Sequence, residues 1–144
     1  MSFASDMRRS TQRIEDAHNK IARAATLDFF SGTIKATPVD TGRARGAWTV
    51  GVGAEPATSP ERIDKEGSAA IAEVITKTPA GAGQETFMIN NMPYIEKLEN
   101  GGYNGPTDKV TAEGFSTQAP AGMVRINLAR VQRIVNAAIA KFKV

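Results

Sequence analysis

The feature that most constrains this chain is a long amphipathic helical pattern near its N-terminus. Apolar residues recur at steps of three and four positions from Ile14 to Ile34, and charged side chains such as Asp16 and Lys20 fill the other face. This spacing puts the apolar residues on one side of a helix of roughly 25 residues, and that side needs a partner to cover it. The helix should end before Thr37, because the residue that precedes Pro38 is disfavoured in the helical region.

A second amphipathic pattern closes the chain. Its apolar spacing predicts another long helix, and Pro120 is expected in the first turn, where a missing N–H costs nothing. The face expected to pack into the core consists of Val124, Leu128, Val131 and Val135. Two helices of this kind need other elements between them to complete a shared core.

Short strands are the elements predicted between the two helices. Trp48, Val50 and Val52 alternate with smaller residues from residue 47 to residue 52, which is typical of a strand with one buried face. Residues 86–90 show a second short strand pattern. We therefore expect an α/β (α+β) fold in which a small mixed or antiparallel sheet packs against the long N- and C-terminal helices, with Trp48 in the core.

The rest of the central region predicts turns and short helices. A helix is expected to begin near residues 59–61, and a strand at residues 71–75 is the alternative. Another short helix should follow Pro93 and end at Gly101. Residues 102–118 form a long polar loop. At 144 residues and 41% hydrophobic composition, the chain is expected to fold as one domain, residues 1–144.

The composition excludes several classes of site. The chain has no cysteine and one histidine, His18, so disulfides and zinc–thiolate sites are ruled out. The segment around Gly81 and Gly83 lacks the residues of a phosphate-binding loop, and no spacing typical of catalysis occurs. No apolar run is long enough to cross a bilayer, and the N-terminus does not resemble a secretory signal. We expect a soluble, cytoplasmically synthesised protein that is not an enzyme, with no catalytic, cofactor-binding or metal-binding residues.

Positive charge is concentrated at the C-terminal end. The net charge is +3, yet residues 114–144 carry five basic residues and no acidic residue. Such an asymmetry is compatible with an anionic partner such as nucleic acid. The alternative is a solvated helix face whose cations suit the negative end of the helix dipole.

Three motifs are more distinctive than the composition requires. They read TPVDTGRARGAW at residues 37–48, NNMPYIEKLENG at residues 90–101 and QAPAGMVR at residues 118–125. The first motif predicts a constrained helix exit, in which Asp40 accepts hydrogen bonds and Gly42 adopts a positive φ.

Taken in this order, the motifs resemble those of the tail-completion and neck proteins of long-tailed bacteriophages, including minor-tail-protein-Z-like components. The resemblance covers roughly residues 10–140. It implies a small α/β structural protein of the virion neck, assembled in the host cytoplasm, with no catalysis and no cofactor. It also implies that copies of the chain form a ring around the DNA channel, with six copies favoured and twelve as the alternative. This ring would contact other neck, connector and tail-tube proteins. A tail terminator or head-side connector adaptor is the nearest alternative role, and a nucleic-acid-binding module is less favoured.

The resemblance assigns roles to individual positions. Residues 103–117 depart from it, because similar proteins connect the second and third motifs through only a few residues. Positions matching the family motifs are Pro38, Asp40, Thr41, Gly42, Trp48, Asn91, Pro93, Tyr94, Leu98, Gly101, Pro120 and Gly122. The arginines expected to contact channel DNA or a partner protein are Arg43, Arg45, Arg125, Arg130 and Arg133. For Arg43 and Arg45, local pairing with acidic residues is the alternative.

Overall fold

The fold joins long helical segments at both chain ends to a short sheet between them. The computed structural model describes residues 2–81 and 83–144. Its class is the α+β class expected from the sequence, and the sheet is antiparallel. In chain order, the elements are α1 (Phe3–Ala36), α2 (Arg43–Gly46), β1 (Thr49–Val52), α3 (Ser68–Lys77), β2 (Thr86–Ile89), α4 (Ile95–Asn100), a 3-10 turn (Thr107–Lys109), α5 (Val124–Ala129) and α6 (Val131–Phe142).

Helix α1 is longer than its apolar pattern predicts. It begins after Ser2, whose hydroxyl accepts a hydrogen bond from the Ser5 N–H at 3.2 Å and so caps the first turn. The apolar positions Phe3 and Met7 extend the stripe towards the N-terminus, beyond the part of the pattern that begins at Ile14. The helix ends at Ala36, as the proline that follows predicts.

The sheet consists of β1 and β2 alone among the described residues. Thr49 pairs with Ile89 and Val52 pairs with Thr86, so both predicted strands are confirmed and are slightly shorter than expected. Val50 is buried, whereas Val52 is exposed because it lies at the end of a two-stranded ribbon.

The region between the strands forms a helix rather than the alternative strand. Helix α3 begins at Ser68, later than predicted, because the preceding Gly67 has a positive φ of 79°. The carboxylate of Asp64 accepts the Ala70 N–H at 2.9 Å and thereby satisfies one of the free donors of the first turn. Ala70 and Val74 then face the core.

Trp48 lies in the core, as predicted. Its side chain is 6% exposed and belongs to a cluster with Ile34, Val50 and Val74. The indole Nε1 donates a hydrogen bond to the Oγ1 of Thr37 at 2.8 Å. The first motif therefore holds both partners of a buried hydrogen bond, which connects the end of α1 to the start of the sheet.

The Glu73 carboxylate of α3 holds the start of β1 in place. It accepts hydrogen bonds from the Thr49 hydroxyl at 2.6 Å and from the Val50 N–H at 2.7 Å. Arg62 pairs with it at 3.0 Å and also donates to the Trp48 carbonyl at 2.8 Å. Helix α3, strand β1 and the 54–67 connection are therefore joined through one side chain.

The C-terminal segment differs from the prediction in which residues face inward. Leu128 and Val131 were expected in the core, and this is wrong, because they are 56% and 40% exposed. The buried positions are Asn127, Ile134 and Ala138. Apolar residues occur on more than one side of this segment, so their spacing alone does not determine the inner face.

A break between α5 and α6 accompanies the change of face. The helix is interrupted at Arg130, whose side chain donates to the Asn127 Oδ1 at 2.6 Å. Asn127 also donates to the Met123 carbonyl at 2.8 Å, so its buried amide is satisfied. A Cβ atom at Gly32 would collide with this amide, which shows how closely α1 and α5 approach each other.

Candidate functional site

The three motifs, separated along the chain, meet on one side of the molecule. Gln118 in the third motif forms two hydrogen bonds with the backbone of Val39 in the first. Its Oε1 accepts the Val39 N–H at 2.8 Å, and its Nε2 donates to the Val39 carbonyl at 3.0 Å. An amide side chain thus satisfies both backbone groups, as a neighbouring strand would. The first and third motifs are tied together across 79 positions of sequence.

The second motif is tied to the first through Asn90. Its amide Nδ2 donates to the Ala44 carbonyl at 2.7 Å, and its Oδ1 accepts the Met92 N–H at 3.1 Å. The neighbouring Asn91 contacts a different part of the chain, because its Oδ1 accepts the Ser59 N–H at 3.0 Å and holds the connection after β1. Of the two asparagines, only Asn90 therefore joins motif to motif.

The second and third motifs are joined by Glu99. Its carboxylate accepts the N–H groups of Met123, Val124 and Arg125 at 2.6, 2.9 and 2.9 Å, and thereby caps α5. Gly122, with a φ of 82°, permits this approach, since a Cβ there would lie 2.9 Å from the Glu99 carbonyl oxygen. This arrangement explains why the third motif has glycine at that position.

We expect Glu99→Ala to lower the free energy of unfolding by about 1–2 kcal/mol, because three backbone donors lose a charged acceptor. Urea denaturation measures the loss. Glu96→Ala, an exposed substitution in the same helix, is the matched control and should change stability by less than about 0.5 kcal/mol. Equal effects of the two substitutions would contradict the capping role of Glu99.

Three further motif positions shape the turns around these contacts. Gly101 ends α4 as predicted, with a φ of 98° and its N–H donating to the Lys97 carbonyl at 3.0 Å. Pro93 is exposed in the turn before α4. Pro120 was predicted in the first turn of the C-terminal helix, and this is wrong, because it lies in a preceding turn and the helix begins at Val124.

The converging motifs line a cleft of about 420 Å³, which we call the motif cleft. The first motif contributes the most residues, α4 and the residue before it contribute Leu98 and Tyr94, and the 102–118 loop adds its own side chains. The lining residues are Pro38, Val39, Asp40, Thr41, Gly42, Arg43, Ala44, Tyr94, Leu98, Tyr103, Pro106, Lys109 and Gln118.

The motif cleft combines aromatic and charged groups. Burial raises the pKa of the Tyr94 phenol, the charge of Arg43 opposes this shift, and Asp40 and Tyr103 add to it. Tyr94 therefore stays neutral at physiological pH and can both donate and accept a hydrogen bond. Asp40 was predicted to accept hydrogen bonds, which is wrong, because it is exposed and no described residue donates to it. The Oγ1 of Thr41 instead accepts the Arg43 N–H at 3.3 Å.

The structure separates the two arginines of the first motif. Arg43 is exposed in the motif cleft. Arg45 points into the body and donates to the carbonyls of Thr37, Lys35 and Lys65 at 2.8, 2.9 and 2.8 Å. Burial lowers the pKa of Arg45, and the charge of the nearby Asp64 opposes this shift. The local alternative given for Arg45 is therefore the one the structure favours, with an acidic neighbour in Asp64. Its hydrogen bonds, however, go to backbone carbonyls at the end of α1 and in the 54–67 connection.

The C-terminal arginines are also used differently from one another. Arg125 donates to the Oδ1 of Asn100 at 2.7 Å, next to the α5 cap. Arg130 pairs with Asp28 of α1 at 3.7 Å. Arg133 is exposed and forms no ion pair with any residue the structure describes. Arg125, Arg130 and Arg133 were all expected to contact DNA or a partner protein. Arg133 is the one of these three that can make such a contact without breaking a contact to the described part of the chain.

Some residues of the site were not singled out from the sequence. Glu99 and Gln118 belong to the motifs, but their roles depend on tertiary contacts that no local spacing reveals. The loop that departs from the family pattern contributes Tyr103, Pro106 and Lys109 to the cleft. The resemblance does not extend to this loop, so it could not predict that these residues line the site. The loop contains two aromatic residues, Tyr103 and Phe115, and the sequence alone does not distinguish the one that lines the cleft.

Other kinds of site find little support in the described part of the chain. No group of three or more His, Asp or Glu residues there could hold a metal ion, and His18 is exposed on α1. None of the helices in residues 2–81 and 83–144 has the length and apolarity needed to cross a membrane. Comparisons of the chain with protein-family models, with curated proteins and with solved structures give no match.

Proposed function

We propose that the protein is a structural component of the neck of a long-tailed bacteriophage, where it completes the tail and joins it to the capsid connector. The observation that carries this proposal is the convergence of the three motifs on one cleft. Asn90, Glu99 and Gln118 each bond one motif to another. Of the motif positions, Pro38, Asp40, Thr41, Gly42, Tyr94 and Leu98 line this cleft, and others such as the buried Trp48 support it from within. A shared surface built from separate motifs is expected if that surface is their common function.

The composition of the motif cleft suits a protein partner. Tyrosine and arginine are enriched at protein interfaces, and Tyr94 and Arg43 both reach its surface. Asp40 and Lys109 add charges of both signs, which favour one docking orientation over others. We assign the cleft to contact with an adjacent subunit or neck protein. A tail terminator or connector adaptor would use such a cleft in the same way and is the alternative.

The ring arrangement is part of this proposal. Contacts between unlike surfaces of identical chains close into a ring when the rotation fits, and six copies would match a six-fold tail. The cations left for the DNA channel are few, because Arg45, Arg125 and Arg130 have partners within the chain. Arg133, Lys141 and Lys143 would contact phosphate without reading sequence. A dedicated nucleic-acid-binding module is therefore the less favoured function.

Substitutions in the motif cleft test the proposal in the phage that encodes the chain. Arg43→Glu and Tyr94→Ala should each reduce infectious particles by on the order of tenfold or more, with unjoined heads and tails in the lysate. Lys97→Glu, an exposed charge reversal outside the cleft, is the matched control and should join heads and tails normally. Normal joining by both cleft variants, with folded protein present, would contradict the proposed function.

A further inference from the structure

The first turns of α1 extend away from the body of the protein. Residues 3–16, which we call the N-terminal arm, are all exposed except Ser5, which is half-buried. Three large apolar side chains of the arm face solvent: Phe3, Met7 and Ile14 are 79%, 52% and 49% exposed. Most of the stability of helices in proteins comes from packing of an apolar face, and the apolar face of the arm packs against nothing in the described part of the chain.

The exposed apolar residues form one continuous stripe. Phe3, Met7, Ser10 and Ile14 follow steps of four, three and four, which is the spacing of a coiled-coil seam. The next position, Ala17, is buried by the body at 6% exposure. The arm therefore continues a stripe that is already a packing surface further along the same helix.

The charge of the arm indicates which kind of partner it fits. Arg8, Arg9 and Arg13 are balanced by Asp6, Glu15 and Asp16, so the arm has no net charge. Membrane-surface helices and nucleic-acid arms carry a clear excess of basic residues. A neutral arm with an apolar seam fits another protein helix.

We propose that this partner is the arm of a second copy of the chain, paired antiparallel. One register aligns the whole exposed seam: Phe3 packs against Ile14 of the second copy, and Met7 packs against its Ser10. By helical geometry, Asp6 and Arg13 lie on the same flank of the seam, two turns apart. Antiparallel pairing sets Asp6 of each copy beside Arg13 of the other, which gives two ion pairs related by a two-fold axis.

Parallel pairing lacks this complementarity. It would place Arg13 beside His18 and Asp6 beside Thr11, so neither charge would gain an opposite partner. The antiparallel interface is small, with one serine in its seam, and the dissociation constant should be on the order of 100 µM. This pairing does not depend on the proposed neck function, since it concerns a surface away from the motif cleft.

Sedimentation equilibrium of the full chain tests the pairing. The wild type should dimerise reversibly. Either Asp6→Arg or Arg13→Asp alone should weaken dimerisation by about tenfold, because each substitution replaces two ion pairs with two like-charge pairs. The double variant Asp6→Arg/Arg13→Asp should return to within about threefold of the wild type. Arg8→Asp, a charge reversal on the opposite side of the arm, is the matched control and should dimerise like the wild type.

Cysteine crosslinking fixes the direction of the pair, since the chain has no native cysteine. A mixture of Phe3→Cys and Ile14→Cys chains should form mixed disulfide dimers, whereas Phe3→Cys alone should crosslink poorly. Buried Trp48 reports by its fluorescence that the body of each variant is folded. A wild type that remains monomeric at about 1 mM, a double variant that fails to recover, or crosslinking of Phe3→Cys to itself would each overturn the proposal.

Discussion

We expect Trp48→Ala to lower the free energy of unfolding by about 3–5 kcal/mol. The indole ring is 6% exposed and packs in the cluster that joins α1, β1 and α3. Truncation removes the ring and leaves a cavity beside Ile34 and Val74. It also removes the donor to the buried Thr37 hydroxyl, which then loses one of its partners. Chemical denaturation followed by circular dichroism measures the change, because the variant has no tryptophan to report on folding.

Trp48→Phe separates packing from hydrogen bonding. It keeps most of the apolar volume and removes the N–H, so the loss should fall to roughly 1–2 kcal/mol. A Trp48→Ala loss below about 1 kcal/mol would contradict the position of this residue in the core.

The second large effect is expected at Glu73. Glu73→Ala should lower the free energy of unfolding by about 2–4 kcal/mol, because the Val50 N–H and one of the two hydrogen-bonded nitrogens of Arg62 lose their acceptor in a largely buried region. Urea denaturation measures the loss. Glu66→Ala, an exposed substitution just before α3, is the control and should change stability by less than about 0.5 kcal/mol. Equal losses from the two substitutions would contradict the bridging role.

The pH dependence of stability provides an independent check on Glu73. Burial by itself raises the pKa of this carboxyl, but hydrogen bonds from Thr49, Val50 and Arg62 and the charge of Lys77 outweigh it, so the folded-state pKa lies below its ordinary value of 4.5. Its stabilising contribution is therefore fully present above pH 4.5 and is lost as the pH falls through the folded-state pKa. The stability difference between wild type and Glu73→Gln should shrink over that acidic range, and a constant difference would contradict this role.

The sequence predicted those elements whose causes are local. Pro38 sets the end of α1, and Gly101 ends α4 because it adopts a positive φ. Gly42 likewise has the positive φ of 93° expected in the first motif. Each of these outcomes depends on a residue and its immediate neighbours, so it could be anticipated without knowing what the chain packs against.

Features set by tertiary contacts could not be predicted in this way. The inner face of the C-terminal segment depends on how Asn127 fits against Gly32 of α1. Asn127 is buried although it is polar, so a prediction that places apolar residues inside cannot find this face. Arg45 sits in a basic motif typical of an external contact, yet the end of α1 supplies carbonyls that it binds instead. In the candidate site, the motifs indicated which segments matter, and only the fold reveals that Glu99 and Gln118 connect them.

Reconstruction of the intact virion neck by electron cryomicroscopy tests the proposed function most directly. The proposal predicts a ring of this chain around the DNA channel between the capsid connector and the tail tube, with the motif cleft against a neighbouring subunit or neck protein. Arg43 and Tyr94 should lie at that contact. Location of the chain in the capsid shell or at the tail tip, or a motif cleft that faces solvent in an assembled neck, would contradict it.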